Sequence, residues 1–374
     1  MIPFNKPYLH GKELAYIADA VSSGKIAGDG AYTKKCHDFF EQRFGFKKVL
    51  MTTSCTDALE MAAILLDIKP GDEIIAPSYT FVSTVNPFVL RGAKIVFADS
   101  YSDHPNIDPK QIEKLITPNT KAIVVVHYAG IACDMDVIME LANTNNIAVV
   151  EDAAQAIDGY YKGKPLGSIG TFGTFSFHET KNIIAGEGGL LAINDEQYIQ
   201  RAEIIREKGT NRSSFFRGEV AKYGWADIGS SFLPSDIIAA YLYAQLESLD
   251  IIQARRKAIW QRYYDKLSIV FENSAIKLPK VPDYSTNNAH MFYLVCESLE
   301  QRTSLIQKLK DNGVHTVFHY LSLHSSEYYQ EKYFGPELPN SDLFTDNLVR
   351  LPLFYELTDE QVDKICSELS KLVC

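Results

Sequence analysis

KAIVVVH (121–127), DMDVIMELANTN (134–145) and NIAVVED (146–152) read as strand, helix, strand. The two outer runs are short, β-branched and continuously apolar. A strand of that kind is covered on both faces, as in a parallel sheet flanked by helices. Working outward, KKVLM (47–51), DEIIAP (72–77) and AKIVFAD (93–99) are strands of the same type. Between them lie the helical stretches TDALEMAAILL (56–66), STVNPFVLRG (83–92) and PKQIEKLI (109–116). Strands alternating with helices over this length predict an α/β fold with a mostly parallel sheet. FGTFSF (172–177) and GGLLAIN (188–194) add two strands, and a charged helix follows near 195–208.

From Ser235 the chain is strongly helical as far as Leu267, and the polar, proline-containing stretch 273–288 then reads as a boundary. After it, MFYLV (291–295), a helix over 298–313, HTVFHY (315–320), RLPLF (350–354) and a last helix from about Thr358 predict a small α+β unit. The expected organisation is a large unit over 1–250 and a smaller one over 251–374, with the helical run as the joint.

The 374 residues are 46% hydrophobic and 22% charged, the balance of a protein with an ample core. With 37 Lys and Arg against 47 Asp and Glu, the formal charge is −10. A field of that sign repels a polyphosphate backbone, which argues against nucleic acid as a partner. No apolar stretch is long enough to span a bilayer, and the first residues lack the pattern of a secretion signal. The six cysteines (Cys36, Cys55, Cys133, Cys296, Cys366, Cys374) show neither a CxxC pair nor zinc spacing. The expectation is a reduced, cytoplasmic protein with no bound metal and no membrane partner.

Ligands of open α/β sheets gather outside the carboxyl ends of the strands. Three segments there carry chemistry. Thr52–Asp57, with Cys55 and Thr56, offers hydroxyls and amides at a helix start. It serves either as a phosphate cradle or as a helix cap. In Glu151–Gln155, Asp152 either caps a helix or pairs with a protonated nitrogen of a ligand, with Gln155 close enough to share the pocket. In FSFHETKN (175–182), Lys181 follows a buried strand. A poorly solvated lysine gives up its proton readily and becomes a Schiff-base nucleophile, whereas an ordinary loop lysine stays charged in water. Its company of Ser176, His178 and the Gly-rich AGEGG (185–189) favours the first reading.

The order of these motifs, with SYTF (78–81), EDAAQ (151–155), FSFHETKN and GEGG (186–189), resembles the nucleotide-sugar aminotransferases of the DegT/DnrJ/EryC1/StrS family. The likeness runs from IPFN (2–5) through VFHYLSLH (317–324) to LPLF (351–354). It implies a pyridoxal 5'-phosphate enzyme of fold type I, aspartate-aminotransferase-like, that passes through pyridoxamine phosphate. By the same resemblance Lys181 carries the cofactor, Asp152 pairs with its pyridine nitrogen, Gln155 bonds its ring hydroxyl and Phe81 stacks on the ring. Cys55, Thr56, the amide of Asp57 and the hydroxyl of Ser176 would surround the phosphate. Many family members send an Asn of a GxNxR segment to the phosphate of the neighbouring subunit; here Ser231 and Leu233 stand at the Asn and Arg positions. A serine hydroxyl still offers one hydrogen bond.

SCTDALEMA (54–62), PSYTFVST (77–84), VLRGAKIVF (89–97), FSFHETKN (175–182) and AEIIREKGTNRSSFFRG (202–218) resemble a subgroup that aminates dTDP-4-keto-6-deoxyglucose at C4 with L-glutamate. Related dehydratases replace the Schiff-base lysine by His; Lys181 therefore points to transamination, with His178 joining Lys181 and Asp152 as a catalytic residue near sugar or glutamate. Lys208, Arg212 and Arg217 would meet the diphosphate, and the segment 315–324, with His319, would line the site. A homodimer with a shared active site is implied as well. The alternatives are amination at C3, the gluco isomer at C4, or a regulator that keeps the fold without turnover.

Overall fold

In the computed structural model, which describes residues 1–371, every apolar run between 47 and 195 becomes a strand. These are β1 (Lys48–Thr52), β2 (Glu73–Pro77), β3 (Lys94–Ala98), β4 (Thr120–Val126), β5 (Ala148–Asp152), β6 (Phe172–Ser176) and β7 (Gly189–Ile193). They form one sheet in the order β1-β7-β6-β5-β4-β2-β3. β3, β2, β4, β5 and β6 run parallel, while β7 is antiparallel to both β6 and β1.

Alternate residues of each strand enter opposite cores, as the pleat requires. Val49, Met51, Ile75, Val125 and Val149 pack on one face. Leu50, Ile74, Ala76, Val124 and Val150 pack on the other. Each such side chain, fully buried, contributes roughly 1.5–3 kcal/mol, so two apolar faces are what hold the sheet central.

The helical run after Ser235 is two helices, Asp236–Leu246 and Leu249–Val270, separated at Glu247 and Ser248. STVNPFVLRG is not a continuous helix: a 3-10 turn, Val82–Thr84, precedes a short helix, Asn86–Leu90, with Pro87 in its first turn. Proline lacks the N–H that a longer helix would need at that point.

The later residues build a second core around an antiparallel pair, β8 (Phe292–Val295) and β9 (Leu348–Leu351). Tyr263, Leu267, Leu294, Leu305, Val349 and Ile365 fill it, and Ile2 joins them from the other end of the chain. The amide of Ile2 donates to the carbonyl of Gly313 at 2.7 Å. HTVFHY makes only an isolated pairing, Val317 with Arg350. Among the described residues no helix is long and apolar enough to cross a membrane. Cys36, Cys55, Cys133, Cys296 and Cys366 are buried free thiols, and Cys374 lies outside the described residues.

Candidate active site

At the carboxyl ends of β4, β5 and β6 lies a cavity of about 490 Å³, bounded on its far side by residues of the second core. It gathers most of the residues singled out in the sequence: Cys55, Thr56, Phe81, Asp152, Gln155, Ser176, His178, Lys181 and His319.

The two adjacent acids of EDAAQ are separated by the pleat of β5. Glu151 turns away from the cavity and is completely buried. It accepts hydrogen bonds from the amides of Gly167, Ile169 and Gly170 at 2.8, 2.7 and 2.6 Å. His127 Nε2 lies 2.9 Å from it, and His127 Nδ1 accepts from the Cys133 amide, so the ring proton sits on Nε2 and points at the carboxylate. This acid is structural. Glu151→Ala should leave three amides and an imidazole without their acceptor and lower stability by about 3–5 kcal/mol, read as the urea unfolding midpoint.

Asp152 faces the cavity. It accepts from the Thr84 hydroxyl at 2.7 Å and from the Ala154 amide at 3.1 Å. Burial pushes its carboxyl above the ordinary range, although these two bonds and the charge of Lys181 pull the other way. Among the described residues no cation forms an ion pair with it. A protonated ring nitrogen in the cavity would supply that partner.

Lys181 stands in the turn after β6, where its amide donates to the carbonyl of His178 at 2.9 Å. Its ammonium has no hydrogen-bonding partner among the described residues. Beside it, His178 Nδ1 is 2.9 Å from the Thr180 hydroxyl, and its Nε2 is 3.7 Å from Glu187. Gln155 is fixed by the Ala129 amide at 2.7 Å, and its side-chain NH₂ donates to the Tyr320 hydroxyl at 3.2 Å. Phe81 is 54% exposed, so it is not a core aromatic; its ring lies 5.8 Å from that of Tyr320 across the cavity.

The Cys55–Leu65 helix opens on the cavity. Ser54 caps it, its hydroxyl accepting from the Asp57 amide at 3.1 Å. Cap and cradle therefore coexist, with the Asp57 amide engaged in the cap and the Thr56 hydroxyl at the mouth, 3.0 Å from Ser83. The Asp57 side chain turns back to Thr53, and burial pushes its carboxyl up to about 6. Burial also raises the Cys55 thiol, which leaves it unreactive. Gly189 lets the helix start sit against β7, since a Cβ there would come within 2.2 Å of the Ser54 carbonyl carbon.

Ser231, Lys208, Arg212 and Arg217 do not line this cavity. Ser231 and Lys208 are exposed. Arg212 pairs with Glu207 at 3.0 Å, and Arg217 with Glu203 and Glu219 at 2.8 and 2.7 Å. Lining residues that the sequence did not single out include Thr84, His290 and Arg350, while Tyr320 falls in the segment 315–324 that was expected to border the site. Thr84 stands within PSYTFVST and Arg350 opens RLPLF, but nothing in either string shows that they meet.

Pyridoxal phosphate fits what the site offers. Hydroxyls at a helix start suit its phosphate, and among the described residues Asp152 lacks the cation that its ring nitrogen would be and Lys181 is an amine held by no other group. The structure is similar to the PMP form of a sugar aminotransferase, Spr1654 from Streptococcus pneumoniae, with 28% identity, a TM-score of 0.92 and coverage of 100% of this chain and 99% of that one. It is similar to the aminotransferase TlmJ from Streptoalloteichus hindustanus, with 29% identity, a TM-score of 0.91 and coverage of 100% and 98%. DesV of S. venezuelae, solved in complex with a ketimine intermediate, aligns at 29% identity and a TM-score of 0.90 over 100% and 98% of the two chains. The fold is thus that of the fold type I enzymes and the cofactor is pyridoxal phosphate, alternating with pyridoxamine phosphate. With a family model matching residues 7–370, the chain belongs to the DegT/DnrJ/EryC1/StrS aminotransferase family.

Proposed function

We propose that this aminotransferase moves the amino group of L-glutamate to C4 of dTDP-4-keto-6-deoxy-D-glucose. The products are 2-oxoglutarate and dTDP-4-amino-4,6-dideoxy-D-galactose. One observation carries the reaction class: Lys181 and the buried Asp152, neither with an ion-pair partner among the described residues, face the same cavity. The sugar rests on the subgroup likeness of FSFHETKN and REKGTNRSSFFRG.

The cofactor, when bound, supplies an aldehyde that exchanges for an amine and a ring that takes up an electron pair. Asp152 keeps the ring nitrogen protonated, which makes the ring a better electron sink. Gln155 and Phe81 orient the ring, and the Thr56 and Ser176 hydroxyls hold the phosphate. Lys181 first holds the cofactor, then moves a proton between cofactor C4′ and the reacting carbon of each substrate. His178 borders the substrate side. The functional unit in this proposal is a homodimer. Its support is the family resemblance, together with two aromatic side chains at and just after the basic segment, Phe216 and Trp225, that are 70% and 86% exposed.

NMR of the product tests the assignment. An axial C4 amine gives small couplings of H4 to H3 and H5. Large couplings would reject the galacto configuration and leave amination intact, while no amination of any 4-keto sugar nucleotide would reject both.

A further inference from the structure

We propose that His290 selects the sugar by its hydroxyl next to the reacting carbonyl, accepting that hydroxyl's hydrogen bond at Nε2. The inference rests on the reading of the cavity as one that aminates a 4-keto sugar. His290 stands just before β8, is 5% exposed and lines the cavity. A chain of hydrogen bonds that starts outside the cavity decides which of its nitrogens carries the proton. The Asp158 carboxylate, paired with Lys257 at 3.0 Å, accepts from the Gln253 side-chain NH₂ at 3.3 Å. Gln253 Oε1 then faces Asn182, whose NH₂ donates to it at 2.8 Å and to the Asn288 carbonyl at 3.0 Å. With its NH₂ engaged twice, Asn182 presents Oδ1 to His290 Nδ1 at 2.9 Å, so Nδ1 is the nitrogen that donates.

Burial holds this imidazole neutral, and the charges of Lys181, Arg350 and Arg256 act in the same sense. A neutral ring protonated at Nδ1 carries a lone pair at Nε2. That atom has no hydrogen-bond partner among the described residues, yet it is not sealed inside the protein. The neighbouring His319 is locked in the opposite sense. Its Nδ1 lies 3.2 Å from Arg350 Nη1, and the Phe4 ring centroid sits 5.1 Å from Arg350 Cζ. Arginine can only donate, and burial lowers His319 to about 4, so its single proton is on Nε2. One ring of this wall accepts at Nε2 and the other donates.

Place and polarity together choose the ligand group. Asn182 follows Lys181 directly, so His290 is tied to the turn that carries the reacting amine. In a 4-keto-6-deoxy sugar, C4 has two neighbours. C3 carries a hydroxyl, while C5 carries a methyl group and the ring oxygen. Only the C3 hydroxyl can donate to a lone pair beside C4. In glutamate the neighbours of the reacting carbon are a carboxylate and a methylene, and neither donates. The acceptor therefore serves the sugar half of the reaction and not the glutamate half. A ketone without that hydroxyl would leave Nε2 enclosed and unpaired.

The test compares dTDP-4-keto-6-deoxyglucose with its 3-deoxy analogue in single turnovers of the pyridoxamine-phosphate holoenzyme. Wild type should favour the 3-hydroxy ketone by roughly 5- to 150-fold in the second-order rate constant. His290→Ala should bring that ratio to within about threefold of one, because neither ketone then leaves an acceptor unpaired. His290→Gln, whose side chain can carry an amide oxygen to the place of Nε2, should recover part of the preference. In His290→Ala the glutamate half-reaction should lose far less than the sugar preference does. No preference in wild type, or a preference kept by His290→Ala, would overturn the proposal. So would equal slowing of both half-reactions, which marks a purely structural residue. Amination of both ketones by wild type at equal rates sinks this proposal alone, whereas amination of neither sinks the 4-keto sugar reading with it.

Discussion

Lys181→Ala is expected to remove the visible absorption of the lysine-bound cofactor and to slow turnover on the order of 10⁴-fold or more. Two losses combine. The covalent hold disappears, and so does the one lysine amine that lines the cavity among the described residues. A third effect acts through Asp152: the charge of Lys181 helps keep that buried carboxyl ionised, so its removal lets burial push the carboxyl higher still. The protein itself should fold normally. The ammonium has no partner among the described residues, so the unfolding free energy should move by no more than about 1 kcal/mol. Single-turnover measurements on the pyridoxamine-phosphate form isolate the proton transfer, and added methylamine should restore part of it. Full turnover in this variant would end the assignment of Lys181.

Asp152→Asn is expected to retain the cofactor while slowing the glutamate half-reaction by roughly 150- to 5,000-fold, the rate equivalent of breaking a buried charge pair worth about 3–5 kcal/mol. Asn keeps the size of the side chain and an oxygen for the Ala154 amide, and its NH₂ donates to the Thr84 hydroxyl, which then accepts instead of donating. What changes is the charge opposite the ring nitrogen. Stopped-flow absorbance after mixing with glutamate measures the step directly. An unchanged rate would make Asp152 a structural residue like its neighbour.

That neighbour shows where reading the sequence runs out. Glu151 and Asp152 are equivalent as letters: two acids at the end of one strand. Only the pleat separates them, and which side of the pleat faces the cavity depends on the packing of helices far away in the chain. The strands were legible because each is a continuous apolar run with its own length and limits. The break at Glu247 and Ser248 was not, because both residues are compatible with a helix. Phe81 required the fold as well: its exposure depends on the 3-10 turn that follows it. For the basic residues at 208–217 the sequence left a diphosphate contact and a solvated loop equally open; in the fold Glu203, Glu207 and Glu219 engage the two arginines. His290 and Arg350 were hidden for a different reason. They come from beyond the polar boundary stretch, and no spacing encodes how the second core meets the first.

The meeting of Phe4 with Arg350 has a consequence for how the protein is born. The seventh strand of the sheet leaves the ribosome about 160 residues before Arg350 does. At a synthesis rate of about 5–20 residues per second, that gap lasts on the order of ten to thirty seconds. During the delay the nascent sheet exposes Asp152 and Lys181 on an open, hydrated rim, because the wall carrying His290, His319 and Arg350 has yet to be translated. Water then solvates the charges that the finished protein buries. Cofactor capture in a closed pocket consequently belongs to the end of translation, when β9 arrives and the amino-terminal segment that had emerged first finds its place against it.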